Sequence, residues 1–186
     1  MQLIDQYKVI CDVHKYFQRF KYITDIDKYD LTDVWRPVGF DDNEEGDCED
    51  FALGYYALLR AYGFTERELS IAICRTGHQH HAVCLVTIRT GTYVLDCRMS
   101  EVLPYRSPLL RISHWYYSGK PFSRAWNRIK QPTEELLYGT AMGKIPLSEK
   151  IKHTSIVGIV KGLQEFQSYM KDKNNNGLKR LSKTSN

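Results

Sequence analysis

The sequence predicts an α+β domain in which a helix with a cysteine at its N-terminus packs on an antiparallel sheet. Three features lead to that class: an apolar stripe of helical period at the start of the chain, a second stripe beginning at Cys48, and three β-branched runs separated by turn residues. With 186 residues, 42% hydrophobic and 26% charged, the chain suits one globular domain plus an appendage, and the composition excludes a disordered chain.

Leu3, Tyr7, Ile10, His14 and Phe17 recur at steps of three and four, which predicts a helix over 3–20. Residues 29–39 show no sustained period and carry Pro37 and Gly39, so they read as an ordered loop. An acidic run follows from Asp41 to Asp50. From Cys48 the apolar positions Phe51, Ala52, Tyr55, Leu58, Leu59 and Tyr62 predict a helix, with Asp47 as its N-cap and Gly63 just past its end. Ser70–Arg75, His80–Arg89 and Thr92–Asp96 predict a three-stranded meander that turns at Thr76-Gly77-His78-Gln79 and at Thr90-Gly91. The aromatic stretch from His114 to Trp126 closes the domain, and Ile151, Ile156, Ile159, Val160, Leu163, Phe166 and Met170 predict a helix over 148–170. The expected organisation is a main domain at 1–130, a C-terminal helical extension at 131–170 and a flexible basic tail at 171–186.

Residues 1–100 hold 11 Lys/Arg against 16 Asp/Glu, whereas residues 101–186 hold 15 against 6. The basic excess is therefore C-terminal and carries no sequence-reading motif, which argues against a specific nucleic-acid surface. No apolar run is long enough for a membrane span, and Gly158-x-x-x-Gly162 has Lys161 inside it, so a membrane partner is not expected. The N-terminus shows no leader pattern, from which the expected location is cytoplasmic, or virion-associated for a phage-encoded chain. Cys11, Cys48, Cys74, Cys84 and Cys97 form an odd set without a C-x-x-C pair, as expected for reduced thiols.

Cys48 falls in the first turn of its helix, where free backbone N–H groups and the positive dipole end favour an anion by roughly 0.3–2 kcal/mol. At an ordinary pKa near 8.5 only about 3% of a thiol is ionised at pH 7, so a nucleophile also needs a base. His81 and Asp96 lie on adjacent predicted strands and supply one, Asp96 fixing the tautomer while the other ring nitrogen meets Cys48. His80 is the alternative base, but strand alternation sends it to the opposite face. The Cys48 N–H is one oxyanion donor, and Trp35 and Asn43 are candidates for the second. Taken singly, each residue also fits a plain structural part.

The run Gly46-Asp47-Cys48-Glu49-Asp50-Phe51-Ala52, then His81-Ala82-Val83 and Leu95-Asp96, resembles the bacterial transglutaminase-like cysteine proteinases, a LapG-like group with a papain-like, transglutaminase-like fold. Tyr22, Asp33, Trp35 and Pro37 match the family's lead-in, and the resemblance spans about residues 5–130. It implies a cysteine peptidase with Cys48 as nucleophile, His81 as base and Asp96 as orienting residue, acting on a protein or peptide. Transglutaminase-type acyl transfer, or an assembly protein that keeps the fold without using the triad, are the alternatives.

The resemblance also implies a calcium site at Asp47 and Glu49, and no organic cofactor. Electrostatics supplies a reason, since a carboxylate about 8 Å from a thiolate destabilises it by roughly 0.5–1 kcal/mol. Asp41, Asn43, Glu45 and Gly46 echo the start of an EF-hand loop, although Ala52 stands where its final Glu belongs. The helix over 148–170 is expected to dock on a protein partner.

Overall fold

The computed structural model describes residues 3–31, 34–40, 43–115 and 161–173. Asp33, Asp41, residues 116–160 and the tail from 174 lie outside them, so the expectations for those positions, including the first half of the expected C-terminal helix, fall outside the described residues.

Helix α1 runs Leu3–Phe17 and α3 runs Cys48–Ala61. Between them lie β1 (Lys21–Tyr22), α2 (Asp25–Tyr29) and β2 (Glu45–Gly46), none of which the sequence pattern assigns. Periodicity misses them because each is too short to show a period. Strand β1 pairs in parallel with β2, Lys21 opposite Glu45 and Tyr22 opposite Gly46, which fixes the chain as it enters α3. Thr24 caps α2 by accepting the Asp27 N–H, and Asp30 ends it in the left-handed region at φ 54°.

The meander is β3 (Leu69–Thr76), β4 (Gln79–Ile88) and β5 (Gly91–Leu95), close to the predicted runs. It is the centre of a larger sheet: β6 (Leu103–Pro104) and β7 (His114–Trp115) add antiparallel edges, giving the order β6-β5-β4-β3-β7. Pro104 is tolerated because β6 is an edge. Residues alternate along β4, so Ala82, Cys84, Val86 and Ile88 join the helices' core while Val83 and Leu85 face a second layer with Leu103 and Leu110. The fold is therefore α+β, a helical layer packed on an antiparallel sheet.

Residues 161–173 form α4, so the helix continues three residues into the predicted tail. Of the helix expected to dock on a partner, the described stretch instead sets its apolar face on its own domain. Phe166 is wholly buried, its ring edge-on to Tyr16 and Tyr62, and Lys173 pairs with Asp12 of α1. A Cβ at Gly162 would stand 2.8 Å from both the Gly39 carbonyl and the Phe40 ring, so this glycine admits the loop before α3. Among the described residues no helix is long and apolar enough to cross a membrane. All five cysteines are free thiols.

Candidate active site

Cys48 is the first residue of α3, delivered there by the short β1–β2 pair. Asp47 does occupy the N-cap position, with extended backbone, but its side chain makes no capping hydrogen bond. Its carboxylate lies close to those of Asp25 and Asp50. The Cys48 thiol donates to Glu49 Oε2 at 3.0 Å, and the Ala82 N–H points at its sulfur. Burial pushes the thiol well above the usual cysteine range, Glu49 and Asp47 push further, and the Ala82 N–H opposes them. A helix N-terminus alone predicts a lowered value; here desolvation and carboxylates outweigh it.

His81 sits near the start of β4 opposite Cys74 of β3, and Asp96 directly follows β5. His81 is buried and His80 exposed, as alternation requires. His81 Nε2 lies 2.9 Å from Asp96 Oδ1, so the sheet brings these two predicted residues together. With Asp96 ionised, Nε2 carries the proton and Nδ1 is left as the basic nitrogen. Burial pushes the Asp96 carboxyl up, yet hydrogen bonds from His81 and Arg98 outweigh burial and hold it well below the ordinary carboxylate range. Cys48 reaches the neighbouring position on β4 through Ala82, and its thiol bond goes to Glu49 rather than to the imidazole.

Beside the thiol, ligand atoms of Asp25, Asp47 and Asp50 lie within 4.8 Å of one another, and Asp47, Cys48 and Glu49 form an overlapping group. Asp50 is 0% exposed; its Oδ1 accepts the Arg36 N–H at 2.5 Å, and its Oδ2 has no hydrogen-bond partner among the described residues. Burial pushes the Asp50 carboxyl up to about 8, the Arg36 N–H working against the rise and Asp47 and Asp25 adding to it. Asp25 accepts the Val34 N–H, so two members of the cluster hold the backbone on either side of Trp35. A buried group of like charges with an unused oxygen has the chemistry of a hard-cation site. The EF-hand echo is not its source. Glu45 turns to Lys21 at 3.3 Å, and Asn43 Oδ1 accepts from Lys28 Nζ at 2.5 Å.

Asn43 is also corrected as an oxyanion donor. Its amide donates to the carbonyls of Arg36 and Pro37, each at 3.1 Å, which uses its two hydrogens to clasp the loop. Trp35 is buried in the main core, held between the segments pinned by Asp25 and Asp50.

Sequence reasoning gave no role to Asp25, Asp50, Arg98 or His14. Asp50 stood in the quoted Gly-Asp-Cys-Glu-Asp run, three residues after Asp47 and so on the same helical face, which was the available signal. Arg98, two residues after Asp96, was equally readable as a local partner. His14 Nε2 lies 3.2 Å from the Asp96 carbonyl while its ring stacks on Tyr55, a contact across 82 residues that no local pattern announces.

Comparison with known proteins gives the family. Residues 4–133 match the family described as bacterial transglutaminase-like cysteine proteinase. Among solved structures, EGTA-treated LapG from Legionella pneumophila is similar at 29% identity and TM-score 0.48, over 58% of this chain and 61% of that one. The calcium-bound form of the same Legionella protein is similar at 27% identity and TM-score 0.47, over 60% and 67%. The chain thus aligns with about three fifths of the length of the first of these. No curated protein sequence matches it significantly. The family match spans well over half of the chain, and this chain therefore belongs to the bacterial transglutaminase-like cysteine proteinases.

Proposed function

We propose that this protein is a cysteine peptidase acting through Cys48, His81 and Asp96. The observation that carries it is the buried His81–Asp96 pair at 2.9 Å, presented one strand position from the Ala82 N–H that meets the Cys48 sulfur. In the reaction, His81 Nδ1 takes the thiol proton and the sulfur attacks a peptide carbonyl. The backbone N–H of Cys48, at the start of α3, faces the developing oxyanion. The imidazolium then returns its proton to the leaving amine, which leaves a thioester on Cys48. Water, deprotonated by His81, attacks the thioester and releases the acid and the free thiol.

Burial first, and then Glu49 and Asp47, hold the thiol above the ordinary cysteine range, and the two carboxylates are the part of that rise a bound cation would offset. Asp47, Asp50, Asp25 and Glu49 fit a divalent cation of the calcium type, on the ground of the buried Asp50 oxygen and the mutual proximity of the carboxylates. When bound, such an ion supplies positive charge that neutralises these groups. The thiol would still depend on His81 Nδ1 to take its proton.

The test is incubation of the full chain with a protein-derived peptide library in calcium, with new N-termini identified by mass spectrometry. Cleavage by wild type and none by Cys48→Ala supports the assignment. Equal cleavage by both, or thioester-dependent amine coupling without cleavage, contradicts it.

A further inference from the structure

We infer that Arg98 is a positioning residue for the reaction proposed above, clamping both oxygens of Asp96 so that His81 keeps one tautomer and one orientation. The inference rests on that peptidase assignment and extends it to a residue outside the triad.

Four contacts carry it. The Arg98 backbone N–H and Nε donate to Asp96 Oδ1 at 3.0 and 3.1 Å, the oxygen that also accepts from His81 Nε2. Arg98 Nη2 donates to Asp96 Oδ2 at 2.6 Å, so both carboxylate oxygens are bound. The fourth, Nη1, donates to Thr76 Oγ1 at 2.8 Å, and Thr76 lies on β3, the strand paired with β4 where His81 stands. The guanidinium therefore ties the end of β5 to the β3–β4 hairpin across the pair. Asp96 itself is wholly buried, whereas the Arg98 side chain is 34% exposed, which places its charge at the rim of the site.

This geometry has two consequences. A carboxylate held at both oxygens cannot rotate away from the imidazole. A fixed cation on its outer side also tempers its basicity, so the proton stays on Nε2 rather than moving to Asp96. The other groups around Asp96 do not duplicate this. Tyr55 of α3, Cys74 of β3 and Cys97 bring no positive charge, and His14 of α1 bonds the Asp96 carbonyl, not its carboxylate. Lysine could supply the charge but not the planar fork that spans Asp96 and Thr76.

The test compares wild type, Arg98→Ala, Arg98→Lys, Thr76→Val and His81→Ala in calcium. Three quantities are read: the Cys48 alkylation rate by iodoacetamide at neutral pH, the Asp96 carboxyl midpoint by carbon NMR, and the His81 Nε2–H resonance. For Arg98→Ala we expect alkylation about tenfold slower, an Asp96 midpoint raised by about one unit and a weakened Nε2–H signal. Arg98→Lys should restore the midpoint without restoring the full rate. Thr76→Val should lose rate a few-fold at unchanged midpoint, and these two variants decide the matter if Arg98→Ala does not fold. Wild-type rate and Nε2–H signal in the Arg98 variants, whatever happens to their melting temperatures, would overturn the proposal alone. Wild-type alkylation that does not depend on His81 would overturn the peptidase assignment, and the role of Arg98 with it.

Discussion

Asp96 Oδ1 lies 2.9 Å from His81 Nε2, which leaves Nδ1 as the basic nitrogen of the ring. An amide at position 96 cannot play the same part, because it can present a hydrogen to Nε2 and stabilise the wrong tautomer. Asp96→Asn is expected to slow labelling of Cys48 by a peptidyl electrophile by roughly a hundredfold or more, and Cys48→Ala to abolish it. Intact-mass spectrometry checks both. Labelling at wild-type rate in Asp96→Asn would mean that the buried pair serves folding alone.

The Asp50 carboxyl sets a pH dependence of stability. Its folded value is raised to about 8, so the native state binds a proton that the unfolded chain releases near pH 4. Without divalent cation, stability should therefore fall as pH rises from about 5 to 8, with a slope of up to about 1.4 kcal/mol per pH unit for one proton. Asp96, depressed in the fold, acts oppositely but below this window, its contribution being lost as the solution is made more acid. Calcium should raise the melting temperature more at pH 8 than at pH 5, since it competes with the proton. Asp50→Asn should flatten the profile and weaken the calcium response. Calorimetry across this range decides, and an unchanged profile in Asp50→Asn would remove the acidic cluster from the account.

Gly46 is required by the same cluster. A Cβ there would stand 2.6 Å from the Asp50 Cβ and 2.8 Å from Val38 Cγ2, with the Asp50 carboxylate closer still. Gly46→Ala should cost about 1–3 kcal/mol through overpacking and should reduce calcium affinity by shifting Asp50. Thermal melts with and without calcium separate the two effects. A variant as stable and calcium-responsive as wild type would show that the β2–α3 junction yields more easily than this packing implies.

Helix α4 belongs to the core that carries the site. Phe166 is wholly buried against Tyr16 and Tyr62, so Phe166→Ala should cost about 3–5 kcal/mol. Exposed positions on the same helix, such as Gln167, should tolerate alanine within about 0.5 kcal/mol. Denaturant titration measures both. A Phe166→Ala loss below about 1 kcal/mol would favour a helix that leaves the domain for a partner.

Much of this was legible in the sequence where a pattern spans several residues. The stripe from Phe51 to Tyr62 and the alternation from His80 to Ile88 gave α3 and β4 nearly to their ends, and alternation separated His81 from His80. Strands of two residues, such as Lys21–Tyr22 and Leu103–Pro104, were invisible because they exist only through a partner elsewhere in the chain. The site divides the same way. Cys48 and its acidic neighbours are local, so the motif carried them. Asp25 reaches Asp47 and Asp50 only after the chain folds back, and Asn43 proved to be a clasp because the carbonyls it binds are fixed by tertiary structure.

The central claim is that Cys48 becomes a nucleophile through His81 once the carboxylates beside it are neutralised. Its most direct test is the rate of Cys48 alkylation by iodoacetamide from about pH 4 to 9, in calcium and in chelator, for wild type and His81→Ala. The account predicts a Cys48 that titrates well below the ordinary thiol range in calcium, moves above that range in chelator, as burial and Glu49 require, and loses its low-pH reactivity in His81→Ala. A Cys48 no more reactive than Cys11 in calcium, or equally reactive with and without His81, would contradict it.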